Sequence, residues 1–255
     1  MSTDQSAARG AGIVALCGGL AIFAGVMGLK MFFGYPNIIR AEPCIIMEKL
    51  YETRSIVPYL YYFGVGGAGI CVLFFSILFA KQLQREGDEI WSSLGKTCGI
   101  ISGVLLYVGI IRYSILFPKL AALRHADTYD PKTIDLIFTT MNTYVGESVA
   151  EHSQFLFTSL MMVFFGIASL RTKLLPLWLV LFSFAIAVVD LIGNLEHFGF
   201  AFAFWFNRTG PKMFAAWLLI AGIILITGKS GSATRARFSR FIGRNIGAEF
   251  VTPNK

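Results

Sequence analysis

Residues 159–193 read SLMMVFFGIASLRTKLLPLWLVLFSFAIAVVDLIG. Two apolar runs flank a basic turn, Arg171 and Lys173, which is followed at once by Leu175 and Pro176. A helix needs about 20 apolar residues to cross a bilayer. In lipid its backbone groups must also be satisfied within the segment itself. The stretch therefore reads as the end of one membrane helix, a tight polar turn and the start of the next. A chain that doubles back in this way is polytopic.

Working outward, six segments have the required length and character: 12–33, 57–80, 97–117, 152–170, 175–205 and 212–228. The expected fold is all-α, a polytopic membrane bundle of about six transmembrane helices. Residues 1–230 form the bundle and 231–255 a basic amphipathic cytoplasmic tail. The first run is preceded only by Arg9 and reads as an uncleaved helix rather than a signal peptide. Its small-residue pairs Ala21/Gly25 and Ala24/Gly28, with Gly64, Gly66, Gly67 and Gly69 in the second segment, let backbones approach closely.

Composition agrees. The 255 residues are 55% hydrophobic and 15% charged, against about 25% charged in a soluble domain. The net charge is +7, but no nucleic-acid module is visible and nucleic acid is not an expected partner. The arginines gather after the last apolar run, as in a cytoplasmic membrane flank. That bias sets the expected orientation, N-in and C-in, in a bacterial inner membrane. Cys17, Cys44, Cys71 and Cys98 show no metal-binding spacing; Cys17, Cys71 and Cys98 read as buried small hydrophobes.

Three segments outside the spans carry structure of their own. Residues 44–54, between Pro43 and Pro58, suggest a short interfacial helix with Ile46 and Leu50 one turn apart. Residues 133–150 place apolar side chains at helical spacing behind the start signal Asp130-Pro131, with Gly146 as a candidate kink before the fourth span. Residues 233–246 read as a basic interfacial C-terminal helix. There Arg235, Arg237, Arg240 and Arg244 are candidate lipid-binding residues.

Ionisable groups at membrane depth are costly, so each is a functional-site hypothesis by default. In the N-in topology Arg112, Glu147, Glu151, His152, Asp190, Asn194, Glu196 and His197 all fall in one outer layer. On α-helical spacing Glu147 and Glu151 share a face, as do Asp190, Asn194 and His197, while Glu196 points elsewhere. The candidate ligand or proton site is Arg112, Glu147, Glu151, Asp190, Asn194 and His197, with Arg112 as counter-charge to the carboxylates. Three readings stay open. The layer is polar glue between helices, a ligand or proton site, or a metal or haem centre drawing on His152, His197, Glu151 and Asp190. No HExxH, Walker or GxSxG motif occurs, and the cofactor is unknown. The expected role is a non-enzymatic ligand-binding, transport or accessory subunit. The alternative is a metal- or haem-dependent membrane oxidoreductase or a subunit of one. Expected partners are membrane lipids and other membrane subunits or a second copy of the chain.

The Gly-rich first helix, the proline-bounded outer segment and the 159–193 run, with its Leu-Pro-x-Trp-Leu start, resemble a family of small polytopic bacterial membrane proteins that forms a domain of unknown function. The likeness covers the second half of the chain more fully than the first. It implies a helical membrane fold and no activity. The run GNLEHFGFAFAFWF (193–206) is faintly similar in texture to the membrane subunits of copper methane and ammonia monooxygenases, whose histidine-rich ligand sets are missing here.

Overall fold

The computed structural model describes residues 3–228, with side chains described from residue 7 onward. The tail helix at 233–246, its four arginines and the boundary at 230 lie outside the described residues. Within them the protein is all-α. Helix α1 spans Thr3–Phe33. A 3-10 turn at Asn37–Arg40 leads to the short helix α2, Pro43–Glu52. Then come α3 (Val57–Arg85), α4 (Ile90–His125), α5 (Pro131–Thr172), α6 (Leu177–Phe198) and α7 (Ala203–Thr227). Helices α1 and α3–α7 are long and apolar enough to cross a membrane, and the chain is an integral membrane protein. Large apolar side chains such as Phe23, Phe63, Phe74 and Trp205 are exposed on its flanks. Such a surface would be a liability in water but suits lipid.

The six long helices pack in sequence order around a closed ring, α1 meeting both α3 and α7. Glycine makes the closest approaches. A Cβ at Gly69 would lie 2.7 Å from the Gly103 carbonyl oxygen, and one at Gly64 would lie 2.7 Å from Gly25 Cα. The α1–α3 and α3–α4 seams are thus backbone against backbone, as the small-residue pattern implies. At the N-terminal end of the bundle the ring is filled by aromatics. Phe75 stacks on Phe79 at 5.1 Å, and Phe165 and Trp217 meet them edge-on. The Trp217 indole donates to the Leu179 carbonyl at 3.2 Å, locking α7 to α6.

The opposite end carries a cap. Helix α5 has 42 residues, about 60 Å at 1.5 Å per residue, twice the hydrocarbon thickness. Its first turns and the last turns of α4 therefore run on past the bilayer side by side. Asp130 caps the start of α5 by accepting from the Thr133 amide, with Pro131 at the first helical position, as the start signal predicts. Helix α2 lies on this pair and buries Ile46, Met47 and Leu50 against Phe117, Leu120, Ile134 and Phe138. The 44–54 segment thus packs on protein through Ile46 and Leu50. Arg124 pairs with Asp135 at 2.9 Å across the cap. His125 ends α4 and stacks on Tyr51 at 3.8 Å.

Two expectations are corrected. The fifth span does not run on to residue 205. It ends at Phe198, and Gly199 takes φ +89° to turn the chain, a left-handed conformation that favours glycine. The sixth span starts at Ala203 and keeps Pro211 inside it. Hydropathy is blind to this break because aromatics fill the turn as densely as the helices. Cys17 is exposed on α1 and only Cys98 is buried; all four cysteines are free.

Candidate functional site

Helix irregularities gather in one layer, at the cap end of the bundle. Residues Leu60–Gly66 of α3 and Asn142–Ser153 of α5 wind as π-helix, and Asn194–Phe198 of α6 tightens to 3-10. The wide turns show in the side chains. Ser148 and Ser153 donate to carbonyls five residues back, at 3.2 and 2.8 Å. Such departures are frequent at functional sites. They also redirect side chains, so the α-helical face rule does not hold here.

The consequence is clearest at Glu196. A 3-10 turn has 3.0 residues per turn instead of 3.6, and Glu196 does not point elsewhere. Its carboxylate meets Arg40 at 3.3 Å. The other partner of Arg40 is Glu151, bound in a fork with Nη2–Oε2 at 2.8 Å and Nη1–Oε1 at 3.5 Å. The counter-charge of the carboxylates is thus Arg40, from the 3-10 turn after α1, and not Arg112. Burial by itself would make such a guanidinium easier to deprotonate; Glu151 and then Glu196 outweigh it and hold Arg40 firmly charged. His197 Nε2 is 3.8 Å from Glu151, close enough to attract an imidazolium but too long for a hydrogen bond. The His152 and His197 rings meet edge to face at 5.9 Å. The Asn194 amide donates to the His152 carbonyl at 3.1 Å and ties α6 to α5.

Arg112 is buried elsewhere in the layer. It donates to the Gly109 carbonyl and, at 3.4 Å, to Asn142 Oδ1, and lies 4.8 Å above the Tyr113 ring. A Cβ at Gly146 would collide with this guanidinium. Gly146, expected as a kink, is the space that Arg112 occupies. Asp190 is 2% exposed. Among the described residues its side chain has no hydrogen-bond or ionic partner, and it packs against Gly210 of α7. Glu147 lies partly exposed and does not line the cavity described next.

These groups surround a cavity of about 140 Å³ beneath the Arg40 turn. Its polar lining includes Tyr61, Arg112, Asp190, Glu196, Asn207 and Arg208, and Val26, Leu29, Ile110 and Phe214 supply apolar wall. Tyr35, Asn207 and Arg208 are lining residues that the sequence reading passes over. Arg208 donates to Asn37 Oδ1 at 2.7 Å and stacks on Phe204 at 3.8 Å, fastening the 3-10 turn to α7. Burial, with the Glu151 carboxylate second, pushes the Tyr35 hydroxyl up to about 12. Gln154 and Thr158 of α5, also in the lining, and Ser102 of α4 bond one another at 2.7–3.3 Å.

Among the described residues, five buried side-chain atoms of lining residues have no hydrogen-bond partner: Tyr61 Oη, Arg112 Nε, Asp190 Oδ1, Glu196 Oε2 and Asn207 Nδ2. For a metal the donors do not converge. Among the described residues no three of His, Cys, Asp and Glu gather on one point, and both oxygens of Glu151 are engaged by Arg40. No family model, curated protein or solved structure matches the chain, so the argument for function rests on this geometry.

Proposed function

We propose that this is a ligand-binding membrane protein of the transport or accessory kind, with its site in the cavity beneath the Arg40 turn. One observation carries the reading: five unpartnered buried polar atoms belong to residues that line one chamber. Each such group costs about 1–3 kcal/mol if its bond is never made. Together they rival the whole stability of a typical protein, about 5–15 kcal/mol. The arrangement makes sense as a site whose bonds are completed by a polar guest. The chamber is comparable with the ~150 Å³ cavity that takes benzene, so the guest or bound moiety is small.

The positive-charge bias supports an N-in, C-in chain in a bacterial inner membrane, with the cap and the cavity mouth outside. The basic tail would then lie on the anionic inner leaflet through Arg235, Arg237, Arg240 and Arg244. Delivery to or from a further membrane subunit, or a second copy of the chain, fits an accessory role.

The test is thermal unfolding of the purified full chain in nanodiscs against a panel of amino acids, amines, carboxylates and phosphomonoesters. A ligand at 100-fold its dissociation constant stabilises by about 2.7 kcal/mol, or about 5–11 °C for a chain near this size. We expect at least one class to do so, and Asn207→Leu to abolish the shift. If no probe moves the midpoint and Asp190→Asn merely lowers it, the layer is helix cross-linking and the proposal fails.

A further inference from the structure

The charges around the cavity do not cancel pair by pair. Arg40, Arg112 and Arg208 face Glu151, Glu196 and Asp190 in its lining. Arg40 takes both glutamates. Arg112 is left on a backbone carbonyl and an asparagine, and Arg208 on another asparagine. Asp190 is left with no cation among the described residues. One chamber therefore holds unspent demands of both signs.

We propose that the site takes a small zwitterion: a molecule or head group bearing an ammonium and a carboxylate or phosphate a few bonds apart. This rests on the reading of the cavity as a ligand site. A simple anion would answer Arg112 and leave Asp190 bare, and a simple cation the reverse. An uncompensated buried charge is strongly unfavourable in either case. A guest with both signs answers both. The unpartnered atoms divide in the same way. Arg112 Nε and Asn207 Nδ2 are donors for an anionic end, and Asp190 Oδ1 and Glu196 Oε2 are acceptors for an ammonium. Arg208, whose side-chain hydrogen bond goes to the Asn37 amide, adds a second cation for the anionic end. The size agrees, since about 140 Å³ is close to the ~150 Å³ that takes the six heavy atoms of benzene. Sugars are too large. The aliphatic side chains of Val26 and Leu29 line the same chamber and suit the short methylene link between the charges. The chemistry has two sources, a free amino-acid-like solute or the head group of a zwitterionic lipid.

The experiment uses the full chain in phosphatidylglycerol nanodiscs, with calorimetric titration of phosphoethanolamine and β-alanine as zwitterions. Ethylammonium and methyl phosphate serve as the separate halves. Removing one member of a buried charge pair costs about 2–5 kcal/mol, so we expect a zwitterion to bind at least about 30-fold tighter than either half. Asp190→Asn, which keeps the side-chain shape, should abolish that advantage and leave methyl phosphate binding unchanged. Arg208→Gln should do the converse, weakening methyl phosphate and sparing ethylammonium. Repeating the titration in phosphatidylethanolamine nanodiscs separates the sources. A lipid head group in the site lowers the apparent affinity of the soluble probe at least tenfold, whereas a free-solute site leaves it unchanged. A singly charged or neutral probe binding as tightly as the zwitterions overturns this inference but leaves the ligand site standing. Failure of every probe overturns the ligand-site reading itself.

Discussion

Replacing Arg40 by glutamine should destabilise the protein by about 2–3 kcal/mol. Two unit charges 4 Å apart attract by about 4 kcal/mol at an effective dielectric of 20. Arg40 makes two such contacts, at 2.8 and 3.3 Å. Dehydration, rotamer entropy and repulsion between the two carboxylates take back much of this. Fully exposed pairs net only about 0–1 kcal/mol, while removing one partner of a buried pair costs about 3–5 kcal/mol. The Arg40 side chain is 29% exposed and each glutamate 18%, which places the cost between those limits after discounting for solvent. The Lys49–Glu52 pair is the internal control. It has the same 2.8 Å separation but is 42% and 54% exposed, so Lys49→Gln should cost under about 0.5 kcal/mol. The assay is reversible unfolding in mixed micelles followed by tryptophan fluorescence, with a double-mutant cycle on Arg40→Gln and Glu151→Gln. We expect a coupling energy of about 1–2 kcal/mol. Coupling indistinguishable from zero, or equal costs at Arg40 and Lys49, would show that charge does not hold the turn over the cavity and would refute the reasoning.

Two further predictions come from the same packing. Gly69→Val forces a side chain onto the Gly103 carbonyl at the α3–α4 seam and should cost at least about 1–3 kcal/mol. Gly67→Ala, whose Cβ would meet only Tyr62 O at 3.8 Å, should be neutral or stabilising; equal effects at the two sites in the same unfolding assay would contradict the close seam. Tyr35, pushed up to about 12, loses its proton later in the folded than in the unfolded chain. Its contribution is therefore intact below pH 10 and is lost as the pH rises from about 10 to 12, at most about 2–3 kcal/mol. Ultraviolet titration should find the same number of phenols ionising near pH 10 in wild type and in Tyr35→Phe, with the additional wild-type phenol appearing only near pH 12; a difference that already appears near pH 10 would rule this out.

The depth of the polar groups was legible in the chain because it depends only on counting residues along helices of known rise. Of the six candidate residues Arg112, Glu151 and Asp190 line the cavity, while Glu147, Asn194 and His197 do not. Which groups pair was not legible. Arg40 sits among ordinary loop charges, and nothing near it in sequence marks it as the partner of residues 111 and 156 positions away. The adjacent pairs Glu151-His152 and Glu196-His197 meet across the helices, Glu151 facing His197 and His152 meeting His197 edge-on. A strict α-helical wheel separates them, and the π and 3-10 turns are what that wheel omits.

Hydropathy by itself determined the six membrane helices, because lipid leaves a backbone no alternative to satisfying its own hydrogen bonds. Small residues determined which seams could close tightly, because only they lack the bulk that holds helices apart. The break at Gly199, the cap built from α2 and the ends of α4 and α5, and the pairing of Arg40 were decided only in three dimensions. Each depends on energies that exist only once distant segments meet: the Phe198 ring against His152, an apolar face against its cover, a guanidinium against two carboxylates. The unpaired charges of Arg112 and Asp190 belong to that second class, for a charge is seen to lack a partner only when every neighbour is in place.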